Sequence, residues 1–236
     1  MRRTLGALCA ALCCASACSD NNDPGEPIRF SYVEVLADFE TSLNLNPSQR
    51  WNGTFSPDAD KTAGVDPVKL THVPLDPPRT HAGDPPSYGA LHVSENGSHT
   101  LWGTAWYALL DNYQSADLGD FTGLSFWARS ASGPIPTVKV ALADFGSYPF
   151  PAPPTLPICS ELDNTVGGKG CYDDYAMKFY PDGQWRRFDI PFASLTTGGW
   201  GLSHDFDPSH VYQIKFSMAP DTAYDIWMDD VVLYRR

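Results

Sequence analysis

Val211 to Tyr234, VYQIKFSMAPDTAYDIWMDDVVLY, holds two strand-like runs that meet at a short polar turn. In the first run Ile214, Phe216 and Met218 alternate with Gln213, Lys215 and Ser217, so one face is apolar and the other meets water or a ligand. In the second, Tyr224, Ile226 and Met228 alternate with Asp225 and Trp227. Pro220-Asp221-Thr222 supplies the turn, and the two runs are expected to pair as a hairpin. Asp229 and Asp230 then interrupt an apolar end. Successive strand residues point to opposite faces, so one acid of the two is expected to point toward the core, where a carboxylate must be hydrogen-bonded or bind a cation.

Upstream, strands are expected over Tyr88–Ser94, Thr100–Leu110, Gly123–Ser130, Pro136–Asp144, Tyr175–Tyr180 and Gln184–Pro191. Tyr32 to Glu40 opens the series and Val65 to Pro74 holds one more strand, whereas Asp76 to Pro86, DPPRTHAGDPP, reads as loop because proline removes ladder donors. Asn96-Gly97 and Pro181-Asp182-Gly183 read as hairpin connections. Helical periodicity is absent. Many short alternating strands between Gly, Pro, Asn and Asp turns predict an all-β, antiparallel β-sandwich or jelly roll, as one domain over residues 30–236.

The first residues have a different composition. Met1-Arg2-Arg3 is a basic start, and Thr4 to Ala17 is apolar and too short to span a membrane, as in a secretory leader. Ala15-Ser16-Ala17-Cys18 resembles the lipobox of bacterial lipoproteins, with Ala15 where Leu is usual, which makes Cys18 the expected lipidation site. The leader is then 1–17 and a polar tether 18–29, SDNNDPGEPIR forming most of it. Ser19 resembles an outer-membrane sorting residue of Gram-negative lipoproteins, so the chain is expected to be exported and lipid-anchored in the bacterial envelope, as a monomer. Cys159 and Cys171 are the remaining cysteines past Cys18, and in an exported chain they are expected to close one small loop as a disulfide. The sequence carries 28 acidic and 16 basic residues, a net charge of −12, so nucleic acid is excluded as a partner.

Four stretches then resemble carbohydrate-binding modules of the galactose-binding-like jelly-roll type, nearest to family 11. They are Ala37-Asp38-Phe39-Glu40, Leu118 to Arg129 (LGDFTGLSFWAR), Gln184 to Leu195 (QWRRFDIPFASL) and Ile226 to Leu233 (IWMDDVVL). The resemblance covers about Val35 to Tyr234. It implies polysaccharide binding without cleavage. It also implies a structural Ca2+ ion held by acids of the first and last strands, here Glu40 with Asp229 or Asp230, and Asp38 as a helper. The alternative for these acids is to cap turns or to pair with Lys61 or Arg79.

Candidate sugar-contacting residues fall in three places. In TLWGTAWYA, Trp102 and Trp106 share a face about 13 Å apart at ~3.3 Å per residue, either as stacking platforms or as core. The insertion from Phe145 to Tyr175 ends in Tyr172-Asp173-Asp174-Tyr175, aromatics beside acids on a disulfide-closed loop; Tyr172, Asp174 and Tyr175 either bind sugar or tuck the loop onto the sheet. Trp200 lies in a glycine-rich loop, and Arg129, Lys139 and Lys178 sit on polar strand faces that reach the same surface or are merely solvated. The residues show no Gly-x-Ser-x-Gly, His-Glu-x-x-His or phosphate-binding loop. Two further functions remain open: an envelope lipoprotein that contacts another protein, and a hydrolase or lyase acting on polysaccharide through a close carboxylate pair.

Overall fold

The computed structural model describes residues 32–45, 51–62, 68–81, 84–131, 133–151, 155, 157–163 and 168–235. The leader, the tether and the lipidation site at Cys18 lie outside the described residues. Among them are eleven strands: β1 (Tyr32–Ala37), β2 (Phe55–Ala59), β3 (Lys69–Arg79), β4 (Ser87–Asn96), β5 (Thr104–Leu109), β6 (Gly123–Ser130), β7 (Val138–Asp144), β8 (Tyr175–Phe179), β9 (Arg186–Pro191), β10 (Val211–Met218) and β11 (Ala223–Arg235). They form two antiparallel sheets, one ordered β3-β4-β11-β6-β9 with β1 also on β11, the other β2-β5-β10-β7-β8. The all-β sandwich expected from the alternation is therefore the observed architecture.

The closing stretch does not form a hairpin. β10 is the central strand of the five-stranded sheet, whereas β11 pairs with β4, β6 and β1 in the six-stranded one. Pro220-Asp221-Thr222, with Asp221 at φ 55°, carries the chain from one sheet to the other. Asn96-Gly97 and Pro181-Asp182-Gly183 likewise connect strands of opposite sheets. A tight polar turn reverses the chain equally well in either case. The choice is made by the apolar faces: Phe216 of β10 meets Phe126 of β6 edge-on at 5.2 Å, and the Trp106 indole of β5 donates to the Met228 sulfur of β11 at 3.2 Å. Paired side by side in one sheet, β10 and β11 would turn these residues to the same side with nothing between them to fill.

One other expectation is corrected. Residues 76–79 belong to β3 in spite of Pro74, Pro77 and Pro78, because β3 is an edge strand paired only with β4 and its register shifts between Pro74 and Arg79. An edge tolerates a missing N–H that faces outward. β2, unmarked by any strong alternation, adds to the edge of the other sheet beside β5.

At the aspartate pair, the register of β11 against β6 shifts between Asp229 and Val232, and Asp230 takes φ 46°. This bulge keeps Met228 and Val231 both in the apolar core. Neither carboxylate then points between the sheets. Both lie against the outer side of the six-stranded sheet, where Arg79 of β3 covers them: its Nε donates to Asp229 at 2.8 Å and a terminal nitrogen pairs with Asp230. Arg79 and Asp229 are almost fully buried, and the guanidinium stacks on Trp127 at 4.8 Å.

Candidate functional site

Alternation and register together define what the five-stranded sheet shows to its outer side. Because Phe55, Trp106, Phe216, Val140 and Phe179 face the core, their neighbours face out. Two cross-strand rows result. One reads Ser56, Tyr107, Lys215, Ala141, Ala176; the next reads Asp58, Ala105, Ser217, Lys139, Lys178. Small residues thus make a floor that larger polar and aromatic side chains rise from.

The insertion after β7 closes over one end of this face. Tyr148 stacks on Tyr212 with ring centroids 4.7 Å apart, and the Cys159–Cys171 disulfide is formed, with Cα atoms 5.0 Å apart. Tyr172, at φ 72° and 38% exposed, donates its hydroxyl to Glu161 and stands 6.0 Å from the Lys215 ammonium, which pairs with Asp174. Asp174 is buried. Burial, with Asp58 and Tyr113 nearby, pushes the Tyr107 phenol up, and burial with the bond to Glu161 does the same for Tyr172; both phenols stay neutral donors at physiological pH.

The remaining insertion residues are supports. Asp173 accepts from the amides of Gly198, Trp200 and Gly201 at 2.6, 2.9 and 2.9 Å, tying the glycine-rich loop to the insertion and leaving Trp200 half-buried beside it. Tyr175 is half-buried, donates to the His204 backbone oxygen and packs edge-on against the His204 ring. That ring is held by Asp144 at 2.7 Å and by the Leu202 carbonyl at 2.8 Å. Burial works against its charge, but these two bonds and the Asp144 carboxylate raise the His204 pKa above its ordinary value.

Several predicted positions are not brought to this face. Trp106 is 0% exposed, stacked on Phe216 at 5.7 Å, so it is core. The opposite face of TLWGTAWYA, with Ala105 and Tyr107, is the outward one. Trp102 is 49% exposed, in the turn before β5, where Gly103 sits at φ 96° and a Cβ would come 2.3 Å from the Met218 oxygen. Asp60 holds that turn by accepting from Leu101, Trp102 and Gly103. Arg129 is on the other sheet, sandwiched 5.3 Å from Trp185 and 4.7 Å from Trp227. Lys139 and Lys178, in contrast, do share the five-stranded face with Lys215. Lys215 and Tyr107 were the overlooked residues, and the parity of Gln213, Lys215 and Ser217 was the signal for them.

The acids assigned to calcium are arranged otherwise. Glu40 accepts from the Tyr88 amide at 3.1 Å, while Asp229 and Asp230 are bound to Arg79. Among the described residues no three His, Cys, Asp or Glu side chains form a group that could hold a metal ion. As arranged, Asp229 and Asp230 do not fit a Ca2+ ion, because the Arg79 guanidinium already supplies the positive charge, and Glu40 is taken up by the Tyr88 amide.

No protein-family model matches the sequence, and no match is found among curated proteins. Among solved structures the chain is similar to the family 11 carbohydrate-binding module of a cellulosomal cellulase of Clostridium thermocellum, with TM-score 0.51 and 17% identity over 87% of this chain and 95% of the module. A family 11 module of the same organism, in complex with a β-1,3-1,4-mixed-linked tetrasaccharide, gives 0.50 and 19% over 86% and 95%. A family 30 carbohydrate-binding module gives 0.51 and 13% over 87% and 89%. This chain therefore has the jelly-roll fold of carbohydrate-binding modules.

Proposed function

We propose that the protein binds a polysaccharide, without cleaving it, on the outer face of its five-stranded sheet, and that it does so as an exported chain anchored to the envelope by lipid at Cys18. The observation that carries this reading is the convergence of Tyr107 and Tyr172 with Lys215 and Ser217 above a floor of Ala105, Ala141 and Ala176. Aromatic rings stack on the apolar faces of sugars, hydroxyl and ammonium groups meet sugar hydroxyls, and small residues leave room for the chain to lie down. The disulfide-closed insertion pre-organises Tyr172, which lowers the ordering cost of binding. A non-catalytic role is supported by the engagement of the carboxylates here, Asp174 with Lys215 and Glu161 with Tyr172. Calcium enters only as a stabilising ion for a form in which Arg79 has left the aspartate pair, and its test is a calcium titration of thermal stability.

Binding is tested by affinity electrophoresis of the full-length protein in polysaccharide gels. Tyr107→Ala and Tyr172→Ala are each expected to weaken binding about 5- to 30-fold, the ~1–2 kcal/mol of a well-placed contact. Trp227→Ala, on the opposite sheet, is expected to leave binding unchanged. Loss of retention with Trp227→Ala and not with either tyrosine would move the site to the other face.

A further inference from the structure

We propose that the polysaccharide taken by this face is acidic, with a carboxylate or sulfate group seated between Lys139 of β7 and Lys178 of β8. The inference rests on the binding face proposed above and specifies its ligand.

The register places Lys139 directly opposite Lys178, both on the outer side. Like charges in that relation destabilise a sheet. On the same face Lys215 is neutralised by Asp174. Lys139 and Lys178 form no ion pair with any described carboxylate. The row they end begins with Asp58 on β2, three strand spacings or about 14 Å from Lys139 and four or about 19 Å from Lys178, and Ala105 and Ser217 lie between. Asp58 is thus too distant to serve them.

Burial lowers the proton affinity of Lys139 and Lys215 lowers it further, Asp174 and Asp173 work the other way, and Lys178 adds the smallest lowering. An anion placed between the two ammonium groups relieves the repulsion and accepts charge-assisted hydrogen bonds from both. The whole chain carries −12, so this cationic pair runs against the bulk charge and gives no general affinity for anions.

The experiment measures affinity of the full-length protein for polygalacturonate, for a sulfated galactan and for neutral mixed-linkage β-glucan. Wild type is compared with Lys178→Gln, Lys139→Gln and Lys69→Gln, an exposed cation of the other sheet. One acidic polymer is expected to bind at least about tenfold tighter than the glucan in ~50 mM salt, with most of that advantage lost near ~500 mM. The better of the two acidic polymers identifies the anion as carboxylate or sulfate. Lys178→Gln is expected to weaken acidic binding about tenfold without weakening glucan binding or lowering thermal stability; Lys69→Gln changes nothing. Because Lys178 is exposed, its substitution decides the matter even where Lys139→Gln disturbs folding. Glucan bound as tightly as either acidic polymer, with Lys178→Gln silent and Tyr172→Ala still weakening it, overturns this inference and leaves the binding face intact. A folded wild type that binds none of the three overturns both.

Discussion

Arg79→Met is the most informative single change to the scaffold. The wild-type side chain is 1% exposed and reaches Asp229, which is 0% exposed, and Asp230, which is one-third exposed. Methionine retains most of the volume and removes the charge, stranding two carboxylates. Removing one partner of a buried ion pair costs about 3–5 kcal/mol, mostly as the uncompensated charge left behind. For a chain of this length each kcal/mol lowers the midpoint by ~2–4 °C, so a drop of about 6–20 °C is expected by differential scanning calorimetry at pH 7. The loss should shrink on acidification. Burial, reinforced by the neighbouring Asp229 charge and opposed by Arg79, already pushes the Asp230 pKa up to about 6, while burial raises that of Asp229 against the pull of Arg79. Without the guanidinium both rise further above their unfolded value near 3.9, so the folded state binds more protons and stability falls as pH rises from about 4 upward. The variant should therefore recover relative to wild type between pH 7 and pH 5. A midpoint drop under ~2 °C, or one independent of pH, would refute the claim that Arg79 is the counter-ion of the pair, and a calcium-dependent midpoint in wild type would return the acids to a metal.

The other expectations concern the supports of the binding face. Asp60→Ala should destabilise at pH 7, because the amides of Thr62, Leu101, Trp102 and Gly103, the Thr62 hydroxyl and His99 lose their acceptor. Burial opposes its charge, yet hydrogen bonds from Thr62, Gly103, Leu101 and His99 hold the Asp60 carboxyl well below its ordinary value. Its contribution is thus present above pH ~4 and lost as pH falls toward the folded value, so urea midpoints of variant and wild type should converge below pH ~3. His204 has the opposite sign: its raised pKa stabilises fully below pH ~6.5 and ceases to as pH rises through the folded value, so the deficit of His204→Gln at pH 6 should shrink as pH rises through it. Trp106→Ala should cost about 3–5 kcal/mol in chemical denaturation, as a core truncation, and any binding loss should track unfolding. Reducing the Cys159–Cys171 bridge should weaken glycan retention more than it lowers the midpoint, because it closes the insertion and not the sandwich.

Much of the architecture was legible in strand alternation. Gly123–Ser130 was delimited residue for residue and most other strands to within a few positions, because buried strands leave a period of two in the residue types themselves. Parity likewise grouped Gln213, Lys215 and Ser217 on one face before any fold was known. The edge strands were harder: β2 is short, and β3 contains three prolines that only an edge position accommodates.

Which residues share a face can be read from the chain alone, since that depends only on local backbone geometry. Which face is inside depends on what lies across from it. Trp106 and Tyr107 are adjacent aromatics of equal local standing, and the six-stranded sheet decided between them by offering Met228 to the indole and leaving the phenol to solvent. The same holds for Pro220-Asp221-Thr222, whose turn chemistry serves a hairpin or a passage between sheets alike. Arg79 and Asp229 are 150 residues apart, and only the pairing of β3, β4 and β11 brings a guanidinium to the place where the chain alone suggested a metal ion.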